Sequence, residues 1–114
     1  MDENLIDIAM EIILDAGDAR TYATDAMRAE LAGDRARADT LMKQAKDSIK
    51  KAHNAQTDVI QAEARGEHMQ FSLLFMHAQD TVMTIISEVN MIELMMEMYR
   101  KQEDKLNGNR DSLS

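Results

Sequence analysis

A chain of 114 residues with a net charge of −8 and no cysteine sets firm limits. It suffices for one compact domain and not two. It excludes disulfide frameworks, thiolate chemistry and cysteine-held zinc, and it argues against nucleic acid or anionic lipid, which need clustered Lys and Arg. The same charge suits a partner with a basic face. Proline is absent and glycine occurs four times, in a composition rich in Ala, Met, Leu, Glu, Asp and Lys that favours helix. No stretch reaches the length of a membrane span. The N-terminus Met-Asp-Glu-Asn lacks the basic start of a signal peptide, which points to a cytoplasmic chain.

The apolar periodicity predicts three helices. The first spans about 4–31, with Leu5, Ile8, Ile12, Ala16, Ala19, Ala23 and Ala26 on one face. Gly17 lies beside this alanine-rich face and is expected to permit tight helix packing. Gly33-Asp34 is the first turn, with a left-handed glycine followed by an N-capping aspartate. The second helix spans about 34–65. Its inner face is Leu41, Ala45, Ser48, Ala52, Ala55 and Val59, with Met42, Ile49 and Ile60 beside it. Arg65-Gly66-Glu67 is the second turn. The third helix spans about 69–106, and 107–114 is expected to be a disordered tail. Short turns between long helices predict an all-α, up-down-up antiparallel three-helix bundle. The helix lengths and the apolar breadth of the third helix suggest self-association.

The third helix carries more polarity than an amphipathic helix requires. Leu74, Ala78, Val82, Ile85, Ile86, Val89, Ile92 and Met96 form a broad apolar face, and Ser72, Gln79, Asn90 and Glu97 form a stripe expected to face water. A second stripe holds His77, Asp80, Thr81, Thr84, Ser87 and Glu88. His77 and Asp80 stand inside an apolar run, where a buried charge is costly unless paired. If copies of this helix met around a symmetry axis, Asp80 would meet Asp80, and a hard cation such as magnesium or calcium would relieve the repulsion. His77 itself has three readings: a packed histidine bonded to a carbonyl, a metal ligand with Asp80 one turn away, or a nucleophile or general base.

Other chemistry is scarce. Lys50, Arg65 and Leu74 stand three residues before His53, His68 and His77, so the Glu-x-x-His pattern of di-iron bundles is missing. His-Glu-x-x-His is missing too. His53 reads as a snorkelling or carbonyl-bonded residue, His68 as a solvated turn residue, and the methionine stripe as core or partner surface.

Four segments together carry a family resemblance: Ala16-Gly17-Asp18-Ala19-Arg20, Ala32-Gly33-Asp34, Ala52-His53-Asn54-Ala55-Gln56-Thr57 and Met76-His77-Ala78-Gln79-Asp80. In this order and over roughly residues 5–102, the chain resembles the lactose/cellobiose-type enzyme IIA of the bacterial sugar phosphotransferase system. The resemblance implies a three-helix protomer assembled as a homotrimer. It implies a histidine, here His77, that takes a phosphoryl group from the phosphocarrier HPr and passes it to a cysteine of the cognate enzyme IIB. Enzyme IIB then serves disaccharide entry through a membrane permease. Asp80 matches an aspartate that holds a shared divalent cation, expected to be magnesium, at the threefold axis. Gln56, Gln79, Thr81 and Thr84 are the candidate supports for the phosphoryl group. The family commonly has a histidine where this chain has Thr81, which can hydrogen-bond but cannot carry charge. Two other readings are a helical-bundle adaptor without chemistry and a metal-binding trimer in which His77 and Asp80 both ligate.

Overall fold

The computed structural model describes residues 3–66 and 72–113. Three helices follow one another: α1 (Glu3–Leu31), α2 (Arg35–Ala64) and α3 (Leu73–Leu113). They pack up-down-up into a rod 69 Å long and about 20 Å wide. α1 packs most extensively on α2, next on α3, and α2 and α3 touch least. Thus α1 is the spine, and α2 and α3 lean on it from two sides.

The alanine face of α1 explains that role. Ala9, Ile12, Ala16, Ala19, Ala23 and Ala26 are fully buried. A row of single methyl groups lets two neighbouring helices close on the same spine without side chains in the way. The larger residues that complete the core come from α2 (Met42, Val59) and from α3 (Phe75, Val82, Ile85, Val89, Met96). The apolar face read for α3 is therefore its inner face, with Leu74, Ile86 and Ile92 partly buried at its edges. On α2, Met42 and Gln56 lie in the buried centre while Ile60 is 44% exposed.

Both turns follow backbone chemistry. Gly33 has φ +85°, the left-handed conformation in which a side chain is strained. Asp34 N–H donates to the Ala29 carbonyl and Gly33 N–H to that of Glu30, a Schellman closure of α1. Asp34 then caps α2 by accepting from the Arg37 N–H at 3.1 Å. Gly66, at φ +89°, ends α2 in the same left-handed region.

Three expectations are corrected. Gly17 is exposed, and a Cβ there would meet nothing within 4 Å, so it does not serve tight packing inside the protomer. Ser72 is buried rather than water-facing, because its hydroxyl oxygen accepts from the Phe75 N–H at 3.1 Å and caps α3. α3 does not stop near residue 106 but continues through the expected tail to Leu113. Adding residues to a formed helix avoids the nucleation cost, and just before this extension Arg35 Nη2 holds Asp104 at 2.7 Å. The start of the third helix at 69–71 and the turn residue Glu67 lie outside the described residues, as does His68.

Charged contacts fix the helix register. Arg20 of α1 clasps Glu88 of α3 through two hydrogen bonds of 2.7 and 2.8 Å. Lys46 of α2 pairs with Glu93 of α3. At the end distant from His77, Glu30 is buried on α1, and Arg100 donates to it at 2.5 Å and to Asp39 of α2 at 2.7 Å. These contacts tie all three helices at defined heights.

Candidate functional site

His77 lies in the second turn of α3, and both it and Asp80 are exposed at an open recess rather than in the core. The apolar run around them does not imply burial, because α3 has more apolar surface than one protomer covers. Leu73 is 73% exposed, Met76 46% and Met83 53%. Five residues of α3 line an open recess here: Leu73, Leu74, Met76, His77 and Asp80. His77 and Asp80 are one turn apart on the same face. Among the described residues, no ion pair or hydrogen bond engages the imidazole or the Asp80 carboxylate.

That geometry narrows the three readings of His77. A packed histidine bonded to a carbonyl does not fit an exposed ring. The residues present do not make a metal centre within one chain, since no group of three or more His, Asp or Glu side chains converges among the described residues. What remains is an accessible imidazole on a rigid helix, with apolar side chains at its rim and a carboxylate beside it. Such a group can act as a nucleophile near neutral pH.

The proposed supports are dispersed. Thr81 is one turn beyond His77, and its hydroxyl donates to the His77 carbonyl at 2.8 Å. Its single proton is thereby committed to its own helix. Thr84 is exposed on the same face two turns on, in a neighbouring recess with Ser87, Glu88, Met91 and Ile92. Gln79 is half-buried, and two residues of helical rotation, about 200°, place it on the far side of α3. Gln56 is buried on α2, and its Oε1 has no hydrogen-bond partner. A buried amide oxygen left unpaired is costly, which makes Gln56 the anomaly of the core. The recess around His77 gathers neither glutamine.

Sequence reasoning missed two polar features. Glu30 was not singled out, although it follows Ala26 by four and so falls on the buried face of α1. The Arg20–Glu88 clamp was not foreseen either. The hydrogen bond from Arg20 holds the Glu88 carboxyl below its ordinary range, and that bond likewise raises the guanidinium. Such a pairing needs the α1–α3 register, which the sequence does not display.

A three-helix spine-and-flank protomer with one accessible histidine on its longest helix defines the class, and comparison with known proteins identifies it. Residues 7–100 match the family model described as "PTS system, Lactose/Cellobiose specific IIA subunit", and the chain belongs to that family. It is 37% identical over 94 residues to a lactose-specific EIIA component of Staphylococcus aureus, covering 82% of this chain and 91% of that one. It is 37% identical over 101 residues to a lichenan-specific phosphotransferase enzyme IIA component of Bacillus subtilis, covering 89% and 92%. Among solved structures it resembles the cellobiose-specific enzyme IIA of Bacillus anthracis, with TM-score 0.84, 38% identity and coverage of 92% and 96%. It also resembles the chitobiose IIA of an Escherichia coli IIA–HPr complex, with TM-score 0.77, 31% identity and coverage of 90% and 99%. No helix among the described residues is long and apolar enough to cross a membrane.

Proposed function

We propose that the chain is a phosphocarrier of disaccharide uptake in which His77 holds the phosphoryl group. The observation that carries this reading is the exposed imidazole of His77 within the family-matched segment, in a recess rimmed by Leu73, Leu74 and Met76. The neutral ring attacks the phosphorus of phospho-HPr through Nε2. A new P–N bond forms as the P–N bond to the donor breaks, and the electron pair leaves with the donor imidazole. A cysteine thiolate of enzyme IIB then takes the phosphorus, the His77 P–N bond breaks, and the imidazole is restored. Enzyme IIB in turn phosphorylates a sugar of the cellobiose, lactose or chitobiose type entering through the permease. Transfer of this kind needs positioning and charge stabilisation more than covalent chemistry. The exposed apolar rim supplies a docking surface that excludes water once a partner is seated. Thr84 is the nearest side-chain hydroxyl on the same face whose proton is not committed to the helix carbonyl of His77, and Gln56 offers an amide when partners assemble. Sugar choice resides mainly in the permease and in pairing with enzyme IIB. The work is done at the cytoplasmic face of the membrane.

The reading includes a homotrimer. Met76, Met83, Met91, Leu94 and Met98 continue the exposed apolar surface of α3 past Asp80, and a helix with such a face seeks a partner helix. One Asp80 is no metal site, but a threefold axis along this stripe would gather three carboxylates. Three hard oxygen donors fit a divalent cation such as magnesium. The ion would neutralise like charges at the axis, and the phosphoryl chemistry remains with His77.

The test uses the full chain with phosphoenolpyruvate, the first enzyme of the pathway and HPr, followed by mass spectrometry of the modified peptide. The expected result is one phosphoryl group on His77, lost in His77→Ala while the helical circular dichroism is retained. Label on His53 or His68 with His77 bare overturns the assignment.

A further inference from the structure

Thr81 stands one helical turn after His77 and is half-buried, while His77 itself is exposed. Its hydroxyl donates to the His77 carbonyl at 2.8 Å. That bond alone signals nothing, because Thr24 and Thr40 make the same one to Arg20 and Ala36 on α1 and α2. What sets Thr81 apart is that the residue one turn back is the histidine. A threonine hydroxyl has one proton and two lone pairs. With the proton committed to the carbonyl, Thr81 Oγ1 can meet the imidazole only as an acceptor.

The imidazole has few other acceptors on its own helix. Side chains three and four residues away are its neighbours, and these are Leu73, Leu74, Asp80 and Thr81. The two leucines are apolar. Three residues of helical rotation put Asp80 about 60° to one side of His77, and four put Thr81 about 40° to the other. The two acceptors act differently on the ring. A carboxylate beside an imidazole favours its charged form, in which both nitrogens carry protons and neither can attack. A neutral hydroxyl oxygen accepts from Nδ1–H without adding charge, and so fixes the tautomer whose Nε2 is free. Thr81 is also the better fixed of the two. A β-branched side chain is stiff at χ1, and the bond to the carbonyl holds it further, whereas Asp80 is exposed.

We propose that Thr81 positions His77 for transfer: Oγ1 accepts the Nδ1–H of the imidazole and so leaves Nε2 unprotonated. This rests on His77 as the phosphoryl acceptor and adds what keeps its ring in the reactive form. The imidazole reaches the hydroxyl by turning about χ2, a soft torsion in histidine. In the step itself the Nε2 lone pair forms the new P–N bond, the P–N bond of the donor breaks, and the donor imidazole leaves with that electron pair. The proton on Nδ1 stays in place. Use of the lone pair gives the His77 ring positive charge, so its Nδ1–H becomes a charge-assisted donor. The bond to Thr81 tightens on the way to the transition state, and a contact of that kind raises the rate rather than the affinity.

The test compares the full-length protein with Thr81→Val, which removes the hydroxyl at nearly constant shape, and Thr81→Ser, which restores it. Nitrogen-15 NMR of the unmodified imidazole reads the tautomer, and circular dichroism checks the fold. Single-turnover transfer from phospho-HPr gives the maximal rate and the half-saturating concentration. The wild-type His77 is expected to carry its proton on Nδ1. Thr81→Val should move that proton toward Nε2 and lower the maximal rate by about tenfold, the effect of one hydrogen bond of ordinary strength, with half-saturation unchanged. Thr81→Ser should recover both readouts. Thr40→Val loses the same kind of backbone bond on α2 and should match the wild type throughout. A His77 tautomer indifferent to Thr81→Val overturns the assignment whatever the rate does, and so does an unchanged maximal rate. A wild-type protein that takes no phosphoryl group on His77 overturns the phosphocarrier reading instead, and the NMR comparison still decides whether Thr81 holds the ring.

Discussion

Asp15 and Glu88 lie on the same bundle with carboxyls pushed in opposite directions. Burial is the main cause for Asp15, which it raises above the ordinary 3.8, with Glu11 and Asp18 adding to the rise and Lys51 opposing it. For Glu88, the hydrogen bond from Arg20 lowers the carboxyl below 4.5. The signs of their pH dependence differ accordingly. Asp15 contributes stability that is full below 3.8 and is lost as pH rises through its raised value. Glu88 contributes stability that is present above 4.5 and is lost as pH falls through its lowered value. Asp15→Asn should therefore melt slightly higher than the wild type in neutral buffer, and the gain should vanish in acid. Glu88→Gln should melt slightly lower in neutral buffer, and that loss should vanish in acid. Thermal melts across the acid range check both signs. Each effect is small because both groups remain in contact with water, which screens them.

At the scale of the element, α3 joins two regions of different character. Its first half supplies core residues on one face and the His77 recess on another. Its second half is anchored by charge, with Arg100 on Glu30 and Asp39, and Asp104 on Arg35. Glu30 is 1% exposed, so removing it leaves the Arg100 guanidinium partly buried and short of one partner. Glu30→Ala should destabilise the fold by about 2–4 kcal/mol, near the range for breaking a buried ion pair. A urea titration reads this as a lower midpoint with an unchanged slope. The loss should leave phosphoryl acceptance by His77 intact in protein that remains folded, since the network sits at the opposite end of the rod.

For the molecule as a whole, the decisive quantity is the surface that one copy leaves uncovered. Apolar side chains on α3 and on α1 are exposed in two separate stripes, more than a helix of a lone bundle has reason to show. Asp80 sits within the α3 stripe as its single carboxylate before Glu88. Asp80→Leu should abolish binding of a divalent cation and make association indifferent to a chelator. Metal analysis of the purified protein together with sedimentation with and without chelator measures this. Equal metal content and equal chelator response in the variant would remove the role of Asp80.

The periodicity of alanine and branched residues determined the three helices, because burying one face of each is the only way this composition offsets the entropy of ordering. The glycine turns were equally legible, since a left-handed residue and a capping aspartate are local requirements met by adjacent residues. His77 stood out through its motif and its place in an apolar run. Only the tertiary structure decided that this run is open rather than buried, that Gly17 faces outward, that Glu30 and Ser72 are buried, and that Gln56 has an unpaired oxygen. Each of these depends on which helix lies against which and at what height. Those relations are set by the sum of many weak contacts between distant parts of the chain, and no local pattern of residues records that sum.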